Sequence, residues 1–249
     1  MAAKACSVLN PGATRGLGLE MVKQMVESPW PVRQLLACCR DLDGLRAEGL
    51  RDLAKKHPNV ITVVRLGEYS LCSILLQMGS LVGKAGLNVL VNNTWVLTHG
   101  TMQTTSTQEI QAAFNTNILG PMDITKRTFK MYLFFLMSAT KSGKPGMFCS
   151  KPAVVSISSM VASMATVKEM CSFFPMASAG LNMLTLCATE EFRKDEILFA
   201  VLHPSDWKGG EGGAIDAPES VEGLLSVMDS LTEKQTGVFL DYEGKVMPW

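Results

Sequence analysis

Seven short apolar runs with helical segments between them limit what this chain can fold into more than any other feature. The runs are Ala5 to Leu9, Gln34 to Cys39, Val60 to Val64, Leu87 to Val91, Ala153 to Ile157, Leu198 to Leu202 and Gly237 to Leu240. Helices are expected at Gly16 to Glu27, Asp41 to Lys56, Ser70 to Gly83, Ser106 to Leu136, Phe174 to Lys194 and Pro218 to Leu231. Strands that alternate with helices of this length need right-handed crossovers, which lay the helices over both faces of a parallel sheet. The expected fold class is therefore α/β, a doubly wound parallel sheet of about seven strands with helices on both faces. The last helix carries its own start signal: Asp216 ahead of it, Pro218 in its first turn and Glu219 three residues after Asp216.

The join between the first run and the first helix is rich in glycine. Asn10-Pro11-Gly12-Ala13-Thr14-Arg15-Gly16-Leu17-Gly18 falls where a strand turns into a helix, and Met21, Val22 and Met25 follow at helical spacing. Glycine lets the backbone turn sharply and come close to a pyrophosphate. The charge is then met by unpaired N–H groups and the positive end of the helix dipole. A tight turn without a ligand would use the same residues. Their place at the first strand-to-helix join favours a phosphate site, as in a Rossmann sheet.

No composition break divides the 249 residues, so a single domain over 1–249 is expected. The 23 basic and 23 acidic residues balance and form no block of like charge, which argues against nucleic acid or an anionic membrane as a partner. The seven cysteines, Cys6, Cys38, Cys39, Cys72, Cys149, Cys171 and Cys187, include no Cys-x-x-Cys pair and no zinc-like spacing with histidine. No metal site is expected, and a reducing compartment is. Met1-Ala2-Ala3-Lys4 leads into the first strand without an apolar signal segment, and Met131 to Met137 is too short to span a bilayer, so the expected location is cytoplasmic. Two segments read as loops. Lys141 to Gly146 is polar and basic, whereas Trp207 to Gly213 is glycine-rich and would either cover a bound molecule or serve as a solvated linker.

Five motifs in order, Gly12-x-x-x-Gly16-x-Gly18, Asn92-Asn93, Asn117-Ile118-Leu119-Gly120, Ser156-Ile157-Ser158-Ser159 and His203-Pro204, resemble the short-chain dehydrogenase/reductase family over essentially the whole chain. Within it, Phe239-Leu240-Asp241-Tyr242-Glu243-Gly244-Lys245 and the terminal Pro248-Trp249 resemble the carbonyl reductases grouped with sniffer and the C-factor-like proteins. The resemblance implies a dinucleotide along the crevice, held by Gly12, Thr14, Arg15, Gly16, Leu17, Gly18, Asn92 and Asn93. A carboxylate at the end of the second strand would hold the ribose hydroxyls of NAD. Here that end reads Cys38-Cys39-Arg40, and Arg40 with Arg15 offers two guanidinium groups to a 2′-phosphate, so NADP is the expected cofactor.

The resemblance further implies hydride transfer to a small-molecule carbonyl while a tyrosine donates a proton. A lysine four residues on lowers the tyrosine pKa and binds the nicotinamide ribose; a serine polarises the carbonyl, and an asparagine holds a water. Asn117 and Ser159 match the asparagine and serine, but alignment on Leu181-Asn182-Met183 puts Phe174 at the tyrosine and Ser178 at the lysine. No shift restores the pair, because the residues four beyond Tyr69, Tyr132 and Tyr242 are Ser73, Leu136 and Val246. A phenyl ring has no proton to give, and without a cation at 178 no field lowers a phenol pKa. The cofactor side departs too: Pro11 replaces a threonine, Gly67 an aspartate, Thr94-Trp95 an Ala-Gly, and Ser205-Asp206-Trp207-Lys208-Gly209 a threonine-containing segment after Pro-Gly.

The expected protein is thus a catalytically impaired relative of NADP-dependent carbonyl reductases. Two alternatives stay open: an active oxidoreductase with another proton donor, for which Lys168 is the candidate, and a non-enzymatic nucleotide-binding or dimerisation partner. Family members commonly pair through the two long helices, here Ser106 to Leu136 and Phe174 to Lys194, so a homodimer is expected. Met131 to Met137, apolar on nearly all sides, suits an interface helix and a core helix equally.

Overall fold

All seven apolar runs become strands of one sheet. The computed structural model describes residues 6–28, 30, 32–66, 81–82, 86–96, 100–101, 103–139, 152–165, 174–205 and 215–249, without the side chains of 130–139, 174 and 175. The strands are β1 (Cys6–Pro11), β2 (Val32–Cys39), β3 (Ile61–Arg65), β4 (Val89–Asn92), β5 (Ala153–Ile157), β6 (Leu198–His203) and β7 (Val238–Asp241). Their order is β3-β2-β1-β4-β5-β6-β7, and every ladder is parallel. Pro11 is tolerated in the central β1 because it is the last residue, past the end of the ladder to β4 at Leu9↔Leu90.

Alternate residues of each strand feed two separate cores, which is why the runs are apolar throughout. Val8, Leu35, Ala37, Val89, Val91, Val155 and Ala200 pack on one face with Met21, Val22 and Met25 of α1 (Gly16–Glu27) and with Leu224 and Leu225 of α6 (Ala217–Ser230). Leu9, Leu36, Cys38, Leu90, Val154 and Phe199 pack on the other, against Ile124 and Phe129 of α4 (Gly120–Ala139) and Ala188 of α5 (Phe174–Glu191). The start signal of α6 is realised: Asp216 is its N-cap and accepts from the Glu219 N–H at 2.9 Å, with Pro218 in the first turn.

Three helices differ from their expected bounds by more than one residue. The segment after β2 becomes helical only at Leu45–Ala47, as a 3₁₀ turn, and continues as α2 (Glu48–Lys56); Asp41 to Gly44 instead form a turn, with Asp41 Oδ1 accepting from the Asp43 N–H at 3.2 Å. The expected Ser106 to Leu136 helix is broken by a π-helical turn, Asn115–Leu119, between α3 (Thr107–Phe114) and α4. The helix expected to reach Lys194 ends at Glu191, followed by a 3₁₀ turn at Arg193–Asp195 and a left-handed Glu196 (φ 52°). Of the Ser70 to Gly83 helix only 81–82 are described, and both are helical. The Lys141 to Gly146 and Trp207 to Gly213 loops lie outside the described residues, as do Gly67, His99 and Lys168.

The outer edge of β7 is covered by the chain's own tail. Met247 N–H donates to Phe239 C=O at 2.8 Å, Val246 bridges Leu240 in antiparallel sense, and the Trp249 ring lies 5.5 Å from that of Phe239. An edge closed this way offers no template for pairing with another chain.

Candidate functional site

The chain leaves β1 toward β2 and leaves β4 toward β5, in opposite directions, so their loops part above the carboxyl edge of the sheet. A crevice opens at such a switch point. On one side of it is the glycine turn, on the other Asn92 and Asn93. Gly12 (φ 77°) and Gly16 (φ 53°) adopt the left-handed backbone that glycine tolerates best. Gly12 and Ala13 N–H both donate to Cys38 C=O, at 3.2 and 3.1 Å, which moors the turn to β2.

Gly18 is required by contact. A Cβ there would stand 2.2 Å from Gly12 O and 2.5 Å from Asn93 Nδ2. Beneath it the buried Asn10 donates from Nδ2 to Gly18 C=O at 3.0 Å, a support not foreseen from the sequence. Helix α1 has Arg15 as its N-cap, extended and without a side-chain cap, and no acidic residue in its first turn. The first-turn amides and the positive end of the helix are thus left to an anion. Thr14 is half-buried and Gly16 exposed; Leu17 lies in the core, so it can offer a ligand only its backbone.

Arg15 and Arg40 are both exposed, at the carboxyl ends of neighbouring strands. The loop after Arg40 is tied down by a residue that sequence inspection passed over. Arg51 of α2 donates from Nη1 to Leu42 C=O at 2.6 Å and to Gly44 C=O at 3.0 Å. The Asp41 carboxylate is turned into its own loop, and Asp43 is paired with Arg65 at 3.2 Å. Burial pushes the Cys38 and Cys39 thiols up, with Asp41 adding to the effect at Cys39, so neither is primed as a nucleophile.

Beyond β4, β5 and β6 the picture changes. Asn117 sits in the π turn, 1% exposed, and its side chain clips Val96: Val96 N–H donates to Oδ1 at 3.0 Å, and Nδ2 donates to Val96 C=O at 2.9 Å. Asn92 ends β4 with a buried Oδ1 that has no hydrogen-bond partner, Asn93 is half-buried, and Thr94 crowds Gly12, its Oγ1 3.1 Å from where a Cβ would be.

Ser159 is half-buried after β5 and caps the 3₁₀ turn Met160–Ala162, accepting from the Val161 N–H at 3.4 Å. Ser158 donates to Asn182 Oδ1 at 2.8 Å, and His203 at the end of β6 accepts at Nδ1 from the Met160 N–H at 3.2 Å. His203 therefore braces the Ser159 segment as well as preceding the turn at Pro204. Phe174 opens α5, its side chain outside the described set. Ser178, one turn on, is wholly buried with a hydroxyl that has no partner.

A dinucleotide fits this crevice at one end. The Gly18 cradle, the uncapped start of α1 and the two arginines suit a diphosphate and a 2′-phosphate. At the other end Ser178 supplies neither charge nor surface. Among the described residues no helix is long and apolar enough to cross a membrane.

Residues 7–211 match the model of the short chain dehydrogenase family. The chain is 32% identical to the NADPH-bound carbonyl reductase from chicken fatty liver, over 99% of this chain and 100% of that one, with a TM-score of 0.89. It is 26% identical to the carbonyl reductase Sniffer of D. melanogaster, over 98% and 100%, with a TM-score of 0.92. The C-signal protein of Myxococcus xanthus is 27% identical over 146 residues, 57% of this chain and 79% of that protein.

Proposed function

This chain belongs to the short-chain dehydrogenase family and resembles its carbonyl reductases, and from that premise we propose that it binds NADP but has lost the proton-donating half of their reaction. The observation that carries the reading is the pair Phe174 and Ser178, the second wholly buried, where a tyrosine and a lysine would do the work. The amides of Gly16, Leu17 and Gly18 would hold the diphosphate, Arg15 and Arg40 the 2′-phosphate, and Gly12, Thr14, Asn92 and Asn93 would line the crevice. NADPH supplies a hydride when bound. Ser159 still offers a hydroxyl to a carbonyl oxygen, but among the described residues no neighbouring phenol or cation is placed to pass a proton to the alkoxide, and losing a general acid costs ~10²- to 10⁴-fold in rate.

The wild type is expected to oxidise NADPH negligibly with small reactive aldehydes and quinones. The double variant Phe174→Tyr, Ser178→Lys should raise that rate by at least ~10²-fold, and either single change by much less, because the phenol needs the lysine's field to reach a useful pKa. Brisk wild-type turnover would overturn the reading and direct attention to another donor, Lys168 first. The proposed setting is the cytoplasm, as a homodimer with neither nucleic acid nor membrane as partner. The balanced charge and an exposed apolar stripe on α5 support it.

A further inference from the structure

We propose that residues 246–249 are a strap that fixes the Ser159 segment, with Trp249 as its anchor and a positioning residue for the Ser159 hydroxyl. The purpose of the strap, though not the strap itself, rests on the reading that Ser159 meets a carbonyl. The 3₁₀ turn Met160–Ala162 that follows Ser159 is closed by local bonds: Ala162 N–H donates to Ser159 C=O at 2.9 Å and Ser163 N–H to Met160 C=O at 3.0 Å. So short a turn does not hold itself in place. Its bearing on the sheet comes from either side. Ahead of it, Ser158 N–H donates to Leu202 C=O at 2.8 Å and His203 takes the Met160 N–H, both on β6. Behind it, Ala165 N–H donates to the Trp249 main-chain oxygen at 3.3 Å. Ala162 and Ser163 are buried between these ties, whereas Met164 and Ala165 are exposed, and it is at this exposed end that the tail takes hold.

The tail is itself stiff and well seated. Asp241 Oδ1 accepts from the Glu243 and Lys245 N–H groups at 2.9 and 2.8 Å, and Gly244 takes the left-handed backbone (φ 82°), which folds the chain back along β7. Met247 N–H then donates to Phe239 C=O, Pro248 fixes the backbone ahead of Trp249, and the Trp249 ring lies against that of the wholly buried Phe239. Phe239 in turn pairs with Val201 in the ladder between β6 and β7. The contacts close a circuit: the Ser159 segment to β6, β6 to β7, β7 through Phe239 to Trp249, and Trp249 back to Ala165. A loop tied at both ends keeps a side chain where a reacting group needs it, and one released at one end wanders.

Amide hydrogen exchange of the full chain, read without any ligand on peptides spanning 158–165, tests this. Trp249→Ala should speed exchange there by about tenfold or more while the β1, β2 and β4 peptides stay unchanged, and Trp249→Phe, which keeps a ring against Phe239, should remain within about threefold of the wild type. Met247→Pro, which removes the N–H that donates to Phe239 C=O and leaves the indole, should speed the same peptides. Unchanged exchange over 158–165 in Trp249→Ala overturns the strap. So does equal acceleration over β1, β2 and β4, which would make Trp249 a support of the whole fold, and so does failure of Trp249→Phe to keep the protection. Because no ligand takes part, a wild type that reduces carbonyls briskly, or one that binds no nucleotide, would alter the proposed function and leave the strap standing.

Discussion

Ser205 follows Pro204 with φ at 65°, in the left-handed region that costs an L side chain roughly 1–2 kcal/mol. Glycine would hold this backbone shape without that steric cost. Part of what Ser205→Gly would relieve is returned as extra freedom of the unfolded chain, so the variant should be more stable by roughly 0.5–1 kcal/mol, read as a higher urea midpoint at unchanged slope. Lower stability would mean that the serine side chain has a compensating role. Gly18 is the opposite case: its neighbour is the Gly12 carbonyl, a backbone atom that cannot swing aside. What suits one residue for replacement and not the other is the atom that faces it.

Among the elements, the π turn at Asn115–Leu119 links recognition to architecture. It leaves α3 and α4 as one nearly continuous rod while turning Asn117 inward to clip Val96, the residue that follows the Asn92 to Trp95 segment. The helix run is thereby fastened to the loop beside the crevice. Asn117→Ala would strip a side-chain partner from both Val96 N–H and Val96 C=O. Leaving such groups unsatisfied is worth roughly 2 kcal/mol of stability, measurable by urea unfolding. A change below about 0.5 kcal/mol would show that water replaces the clip. Apolar spacing barely changes across one π turn, so periodicity reads this region as a single helix.

At the scale of the molecule, α5 presents Met176, Met183 and Cys187 to solvent at spacings of seven and four residues, hence on one side of the helix. Phe114 of α3 is 41% exposed as well. We expect a homodimer formed over this surface, seen by sedimentation at micromolar concentration, and Met183→Glu should shift it toward monomer. A wild type that sediments as a monomer would refute the expectation.

The positions and buried character of the seven strands were legible because a strand covered on both faces has to be apolar along its whole length, and that is a property of local sequence. Asp216, Pro218 and Glu219 likewise announced the start of α6 within four residues, since a cap is a contact between near neighbours. That no tyrosine of this chain is followed four residues on by a lysine is also a fact of composition. What no stretch of sequence disclosed depends on contacts between distant segments. Arg51 fastens Leu42 and Gly44, Asn10 carries Gly18, His203 braces Met160, and Ser178 is sealed from solvent. Each of these follows from which helix lies over which strand, and that was decided by the tertiary structure alone.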